Sequence, residues 1–328
     1  MRSKLVNIEI PWVEKYRPKS FKEIVSQNVA INSLKDFVKN GNMPHMIFTG
    51  PAGTGKTSTA LIIAKTIINK EDYYANVLEL NASDTVRMDY VRNVIKDFVN
   101  QSIIIGKNQI KFIILDEADN IPSQVQQALR RIIEKSSENV KFILLCNYIN
   151  KIIDPIVSRC AVFRFVKLNK DKIIERLKYI VTQENLKIPR NLEDTLYHAL
   201  YFISEGDLRK AINTLQMAVA LELLDNLNID EILKISGYLD KATLEKLIKQ
   251  LKSKNFMASV EILNSIENFE SKNLIRQIIV NISELDINLY NLSKINSYFG
   301  EIDYRISQGA DEQIQIISLL AEIIRRSK

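Results

Sequence analysis

Cysteine is nearly missing from this chain of 328 residues, which has two, Cys146 and Cys160, each inside an apolar segment with no CxxC and no histidine at ligand spacing. That count excludes a disulfide framework and a Cys/His zinc site. Histidine is as scarce, and neither His45 nor His198 has a neighbour at metal-ligand spacing. No apolar run approaches the roughly 18 residues that a membrane-crossing helix needs, and the opening residues, MRSKLVNIEIPWVEKYRP, contain no apolar signal core. A soluble chain that is not exported is the expectation. Proline numbers seven, six of them at or before Pro155, and residues 190–328 have none. With no breaker over so long a stretch, the second half is free to be almost continuous helix. Glycine is also sparse, nine residues, yet three of the nine fall within Gly50–Gly55.

What is present is ordinary globular material, 46% hydrophobic, at a length that suits about two domains of roughly 150 residues. The net charge of +6 is unevenly placed. Through residue 165 there are 23 Lys or Arg against 16 Asp or Glu; the remainder carries 22 against 23. A one-sided excess suits contact with a polyanion, although basic excesses also serve solubility alone.

The first half alternates short apolar runs with helical patterns: MIFTG (46–50), NVLELNA (76–82), KFIILDEAD (111–119), KFILLCN (141–147) and AVFRFV (161–166). Strands apolar on both faces and separated by helices predict a parallel sheet covered on both sides. In the second half apolar residues recur at three and four, as in Leu244, Leu247, Ile248 and Leu251, and again in Ile314, Ile317, Leu320, Ile323 and Ile324. These stripes predict helices that pack in a core or against another subunit. The expected architecture is an α/β nucleotide-binding domain to about 165, a small helical domain to about 232, and a helical remainder.

The chemistry concentrates in two places. GPAGTGKT, formed by Gly50, Pro51, Ala52, Gly53, Thr54, Gly55, Lys56 and Thr57 with Ser58 following, is a complete phosphate-loop pattern between an apolar strand and a helical stretch. Its glycines let backbone N–H groups wrap a phosphate, Lys56 neutralises the outer phosphates, and Thr57 reaches Mg²⁺. Four apolar residues, Phe112 to Leu115, then run into Asp116, Glu117 and Asp119. Beside a phosphate loop, Asp116 can hold Mg²⁺ and Glu117 can orient or deprotonate an attacking water, while Asp119 or Asn120 can cap the next helix. Asn147, just past another buried strand, can reach a γ-phosphate or serve as a turn residue. Arg159 and Arg209, taken singly, read as salt-bridge donors.

In order and spacing these motifs resemble the small subunits of replication factor C, which are AAA+ sliding-clamp loaders. The likeness is carried by PWVEKYRPKSF (11–21), the phosphate loop, LELNASD (78–84), ILDEADN (114–120), QQALRR (126–131), CNYINKIIDPIVSRCAVFRF (146–165), EGDLRKAINTLQ (205–216) and GEIDYRISQGADEQIQ (300–315). The last segment looks most like archaeal-type members. The resemblance implies a P-loop AAA+ parallel-sheet domain over 1–165, a helical lid over 166–232 and an all-helical collar over 233–328. It implies ATP and Mg²⁺ as ligands, and an ATPase that opens a sliding clamp and loads it on primer–template DNA. By the same resemblance Tyr16, Arg17 and Pro18 would line the adenine pocket, and Asn81 would be the polar switch on Glu117. Asn147 and Arg209 would be the two γ-phosphate sensors, and Arg159 the arginine finger of a neighbouring subunit's site. The implied partners are a large subunit and further small-subunit copies in a ring-like pentamer, a PCNA-type clamp, and DNA without sequence preference. The implied compartment is the cytoplasm, beside the nucleoid, in an archaeon, or the nucleus in a eukaryote.

Two departures stand out. Ala52 occupies a position usually held by proline, and Thr85-Val86-Arg87-Met88-Asp89 replaces the common D-R-G-I-D, moving the arginine one place. Arg87 stays a candidate DNA contact. In the following helical pattern Met88, Val91, Ile95 and Phe98 form one face, and Arg92 and Lys96 share another. That face is either simply solvated or tracks duplex phosphates; Arg130 and Arg131 are similar candidates. Ile103, Ile104 and Ile105 run into a turn signal and read as core or as an apolar tip that meets the clamp. Two rival readings are a DNA-remodelling AAA+ motor, which should bring a winged-helix domain, and a subunit that binds nucleotide without hydrolysing it.

Overall fold

A computed structural model describes residues 10–82, 88–101, 110–136, 139–224, 227–266 and 269–327, with the side chains of 88–92 outside the description. The chain divides into two compact units, Met1–Leu186 with Leu200–Gln216, and Lys187–Ala199 with Met217–Lys328.

The first unit is built on five parallel strands in the order β2-β3-β4-β1-β5: β1 His45–Thr49, β2 Val77–Asn81, β3 Lys111–Asp116, β4 Val140–Cys146 and β5 Cys160–Arg164. Each falls on one of the apolar runs read from the sequence. The helices are α1 Trp12–Lys15, α2 Asn28–Asn40, α3 Lys56–Ile67, α4 Tyr73–Asn76, α5 Met88–Asn100, α6 Ser123–Lys135, α7 Asp154–Val157 and α8 Lys170–Gln183, together with the parts of α9 Glu193–Ser204 and α10 Leu208–Ala220 that fall within Leu200–Gln216. Alternation along the strands divides the core in two. Met46, Phe48, Phe112, Ile114, Ile143 and Leu145 pack with Ile31 and Leu34 of α2 and with Ala60 and Ile63 of α3. Ile47, Ile113, Leu115, Phe142 and Leu144 pack with Ile95 and Phe98 of α5 and with Leu129 and Ile133 of α6. Burial on both faces is why these strands read as unbroken apolar runs rather than alternating ones.

Two of the buried polar side chains of this unit are tied to the backbone around them. The Lys111 ammonium donates to the carbonyls of Phe98 (2.9 Å) and Gln101 (2.8 Å), so a cation at the start of β3 closes the C-terminal end of α5. His45 is buried, and its Nδ1 accepts the N–H of Phe142 at 3.1 Å.

Among its described residues the second unit has helices and no strand: α11 Ile229–Ile235, α12 Lys241–Lys252, α13 Phe256–Asn264, α14 Ser271–Asn281, α15 Leu289–Ser307 and α16 Glu312–Arg326. Asn228, Asp240, Asn255, Asn288 and Asp311 each accept a backbone N–H in the first turn of the helix that follows, so all but α14 start from an Asx cap. The stripes meet in one core of Leu247, Leu251, Leu274, Ile278, Ile295, Ile302, Ile316 and Leu320. Buried Gln277 fixes the chain entering α12, accepting from the Leu239 N–H (3.0 Å) and donating to its carbonyl (2.9 Å). Among the described residues no helix is long and apolar enough to cross a membrane.

Candidate functional site

The loop between β1 and α3 turns at Gly50 (φ 146°), Gly53 (φ 66°) and Gly55 (φ 96°), a backbone that side-chain-bearing residues rarely adopt. Space forbids a side chain at two of them as well. A Cβ on Gly50 would lie 2.0 Å from the Phe165 carbonyl oxygen, and one on Gly53 1.7 Å from Asp207 Oδ1. Asp207 also accepts the Lys210 N–H (3.0 Å), capping the start of α10, so the Asp207 cap sits directly against the loop.

Lys56 is 8% exposed, and its ammonium donates to the carbonyls of Gly50 (2.6 Å) and Pro51 (2.8 Å) and to Asn147 Oδ1 (2.9 Å). Burial draws its pKa below the usual lysine range, and the Asp116 carboxylate opposes that pull. The next residue, Thr57, donates its hydroxyl to Asp116 Oδ2 at 2.8 Å. Asp116 Oδ1 accepts the N–H of Glu117, whose left-handed φ of 53° turns the chain sharply off the end of β3, and Glu117 Oε2 accepts from Asn120 at 3.1 Å. Strand pairing sets what stands beside these groups. Asn81 is the register partner of Asp116, and Thr49 of Cys146, so Asn147 emerges next to the phosphate loop.

The N-terminal segment closes the site. Tyr16, Arg17 and Pro18, with Val13, Ile24 and Val25, line a cavity of about 270 Å³ that also touches Gly53 to Ser58, Asn81, Asp116, Glu117, Asn147, Leu208, Arg209 and Ile212. Ala52 lines it too, while Gly50 and Pro51 supply the carbonyls that hold Lys56. Burial, and after it the hydrogen bond to Glu184, keeps the Tyr16 phenol protonated to higher pH than usual. Lys15 pairs with the same Glu184 at 2.6 Å, and Arg176 donates to the Tyr16 carbonyl at 2.8 Å. The cavity thus has an apolar end walled by Val13, Ile24, Val25 and Ile212, and a cationic end with a glycine-wrapped loop. A hydroxyl–carboxylate pair, Thr57 and Asp116, adds oxygen donors of the kind a hard divalent cation takes. The residues fit a nucleoside triphosphate with Mg²⁺.

Arg159 lies apart from this cavity. Its Nη2 meets Glu134 Oε1 at 2.6 Å, and its Nη1 donates to the Pro155 carbonyl at 2.7 Å and to Ser158 Oγ at 3.3 Å. Lys96 and Arg131 are exposed, on neighbouring helices α5 and α6, and Arg130 pairs with Glu134. Arg87, Ile103, Ile104 and Ile105 lie outside the described residues, as does the side chain of Arg92.

Reading Asp119 or Asn120 as a helix cap needs correction. The residue before α6 is Pro122, with no side-chain cap, and Asp119 Oδ2 instead accepts the N–H groups of Asn147 and Tyr148, each at 3.2 Å. Asp119 thereby fixes the loop that carries Asn147. It was visible in the sequence only as the last acid of DEAD, with nothing to say which loop it would reach. Glu184 and Arg176 carry no local signal at all, because their partners are far away in sequence, and Glu134 shows locally only as the i,i+4 partner of Arg130, with nothing to bring Arg159 to it. Asp207, three residues before Lys210, was readable as a helix cap, though not as the group that forbids a side chain at Gly53.

A family model described as ATPase family associated with various cellular activities matches residues 46–168, and one described as Replication factor C C-terminal domain matches 239–322. The chain is 39% identical over 320 residues to the Replication factor C small subunit of Sulfurisphaera tokodaii, spanning 96% of this chain and 95% of that one. With the Replication factor C small subunit 1 of Pyrobaculum aerophilum it shares 40% over 318 residues, 96% of this chain and 94% of that one. Among solved structures it is similar to the RuvB Holliday junction branch migration motor of Thermotoga maritima. That match has a TM-score of 0.53 and 18% identity over 84% of this chain and 93% of that one, a likeness of fold alone.

Proposed function

The chain belongs to the replication factor C small-subunit family, and from that premise we propose how its residues divide the work of an ATP-driven clamp loader. It is an ATPase subunit acting in DNA replication. The observation that carries the residue-level reading is the convergence of Lys56, Thr57, Asp116, Glu117 and Asn147 at one end of the sheet, under a cavity closed by Tyr16 and Arg209.

Tyr16, Arg17 and Pro18 hold the adenine end. The backbone N–H groups of Gly53, Gly55 and Lys56 wrap the phosphates, and the Lys56 ammonium neutralises the outer ones. Thr57 and Asp116 are the residues that would hold Mg²⁺, which when bound neutralises charge on the phosphate oxygens. Glu117 takes the proton of the attacking water. Asn81, beside Asp116 in the sheet, restrains Glu117, and Asn147 and Arg209 read the γ-phosphate. Arg159, outside its own cavity, enters the site of the adjacent subunit. Lys96, Arg92, Arg130 and Arg131, with Arg87, meet DNA phosphates, while Ile103 to Ile105 meet a PCNA-type clamp. The three-part division into sheet domain, lid and collar near 165 and 232 belongs to the same proposal, as do a large subunit and a pentameric ring.

The test is steady-state ATP hydrolysis by the purified chain, alone and with a large subunit, a sliding clamp and primed DNA. Stimulation only by the full combination is the expected result. Equal turnover by the chain alone would remove both the trans-acting finger and the DNA trigger. A motor that remodels DNA would need no clamp, and a non-hydrolysing subunit would lack the intact set of Lys56, Asp116, Glu117 and Arg159.

A further inference from the structure

Glu134 sits on α6 one turn beyond Arg130, and its Oε1 alone receives two cations: Arg130 through Nε at 3.0 Å, and Arg159 through Nη2 at 2.6 Å. The two arginines come from different places. Arg130 is one helical turn away on the same helix, whereas Arg159 follows α7, 25 positions on, where Nη1 is steadied by the Pro155 carbonyl at 2.7 Å. Because Arg130 meets Glu134 through Nε, its two terminal nitrogens are left for another acceptor, and a guanidinium is rigid and planar, so fixing one edge fixes the other. Arg159 is held at its Nη1 and Nη2 end, so its direction depends on where the Glu134 carboxylate stands. The carboxyl is kept below the usual carboxylate range, first by the Arg130 hydrogen bond, and it remains an acceptor throughout the neutral range.

We propose that Glu134 is a positioning residue that links the DNA-facing Arg130 to the trans-acting Arg159. The proposal rests on the clamp-loader reading of those two arginines. A phosphate on the terminal nitrogens of Arg130 steadies its guanidinium, the guanidinium steadies the Glu134 carboxylate, and the carboxylate sets the direction of Arg159 toward the neighbouring site. Three side chains thus join a sequence-independent backbone contact to a catalytic cation in another subunit. No bond is made or broken along the path, and its effect is on the orientation of Arg159 alone.

The experiment compares the parent assembly, with large subunit, clamp and primed DNA, to assemblies carrying Glu134→Gln, Arg130→Ala, both together, Arg159→Ala, or Glu134→Asp. Each is measured for kcat and KM of ATP hydrolysis and for primed-DNA affinity. Glu134→Gln is expected to lower DNA-stimulated kcat by up to about fivefold, the upper end for a partly exposed ion pair, with KM and DNA affinity unchanged. In the Arg130→Ala background the same change should cost clearly less than it does alone, because the DNA end of the path is already cut and only the direct Glu134–Arg159 contact remains to lose. Glu134→Asp, which keeps the charge one methylene shorter, should recover part of the loss and serves as the reporter if Glu134→Gln fails to assemble. Unchanged or raised kcat in Glu134→Gln, or effects of Glu134→Gln and Arg130→Ala that simply multiply, would overturn the link. Parent-like turnover in Arg159→Ala would instead defeat the finger reading itself, and the link with it. Loss in Arg159→Ala with none in Glu134→Gln defeats the link alone.

Discussion

Replacing Asp119 with alanine removes a carboxylate whose Oδ2 accepts two main-chain N–H groups, those of Asn147 and Tyr148, each at 3.2 Å. Bonds to a charged acceptor contribute about 1.5–3 kcal/mol each, but these lie at the long end of the geometric range. Asn147 and Tyr148 are also exposed, so water recovers part of the loss. The net cost is then about 1 kcal/mol per bond, or about 2 kcal/mol in all. For a compact body of roughly 200 residues that is a fall in melting temperature of about 4–8 °C. Asp119→Asn keeps an oxygen able to accept both bonds and should lose less than half as much. Activity is the sharper readout. The loop fixed by Asp119 carries Asn147, whose Oδ1 is the third acceptor around the Lys56 ammonium at 2.9 Å. Asp119→Ala should therefore lower kcat for ATP in the assembled complex by more than the melting loss accounts for at a temperature where the variant is fully folded, with Asp119→Asn in between. Thermal unfolding and steady-state kinetics on the same three proteins decide it. A variant with alanine at 119 that melts and turns over like the parent would refute the reasoning, as would equal losses in both substitutions.

Lys56→Ala should abolish tight ATP binding in equilibrium titration, whereas Glu117→Gln should bind ATP and not turn it over; equal affinity in Lys56→Ala and parent would end the phosphate-loop assignment. Arg92→Ala and Lys96→Ala should each lower the slope of log affinity for primed DNA against log salt by about 1, uniformly across sequences, and a sequence-dependent loss would contradict them. His45 gives a pH dependence. Burial, then the charge of Lys141, lowers its pKa from 6.5 to about 4, so above pH 6.5 both folded and unfolded chains hold it neutral. Below pH 6.5 only the unfolded chain takes up the proton, and stability should fall by about 1.4 kcal/mol per pH unit, about 3 kcal/mol in all by pH 4. Denaturant titrations of parent and His45→Gln across that range should converge toward acid, and parallel curves would show that His45 is not the group responsible.

The strands were legible because burial on both faces writes itself as unbroken apolar runs, and each of β1 to β5 falls on one. The phosphate loop was legible because its chemistry is local: glycines, lysine and threonine within eight positions. The second-half helices were legible from stripes such as Leu247–Leu251, and the Asx caps at Asp240 or Asp311 mark starts that the stripes alone do not. What stayed hidden is what distance in sequence hides. Glu184 reaching Tyr16, Asp119 reaching the Asn147 loop, and Glu134 reaching Arg159 each pair an acid with a partner that only folding brings near. A charge seen in sequence does not say which neighbour it will have.

Lys111 makes one mechanical piece of a helix and a strand. Because its ammonium grips the carbonyls of Phe98 and Gln101, helix α5 is fastened to the first residue of β3 by a side chain. A displacement of the C-terminal end of α5 is therefore passed directly to β3, the strand that ends at Asp116.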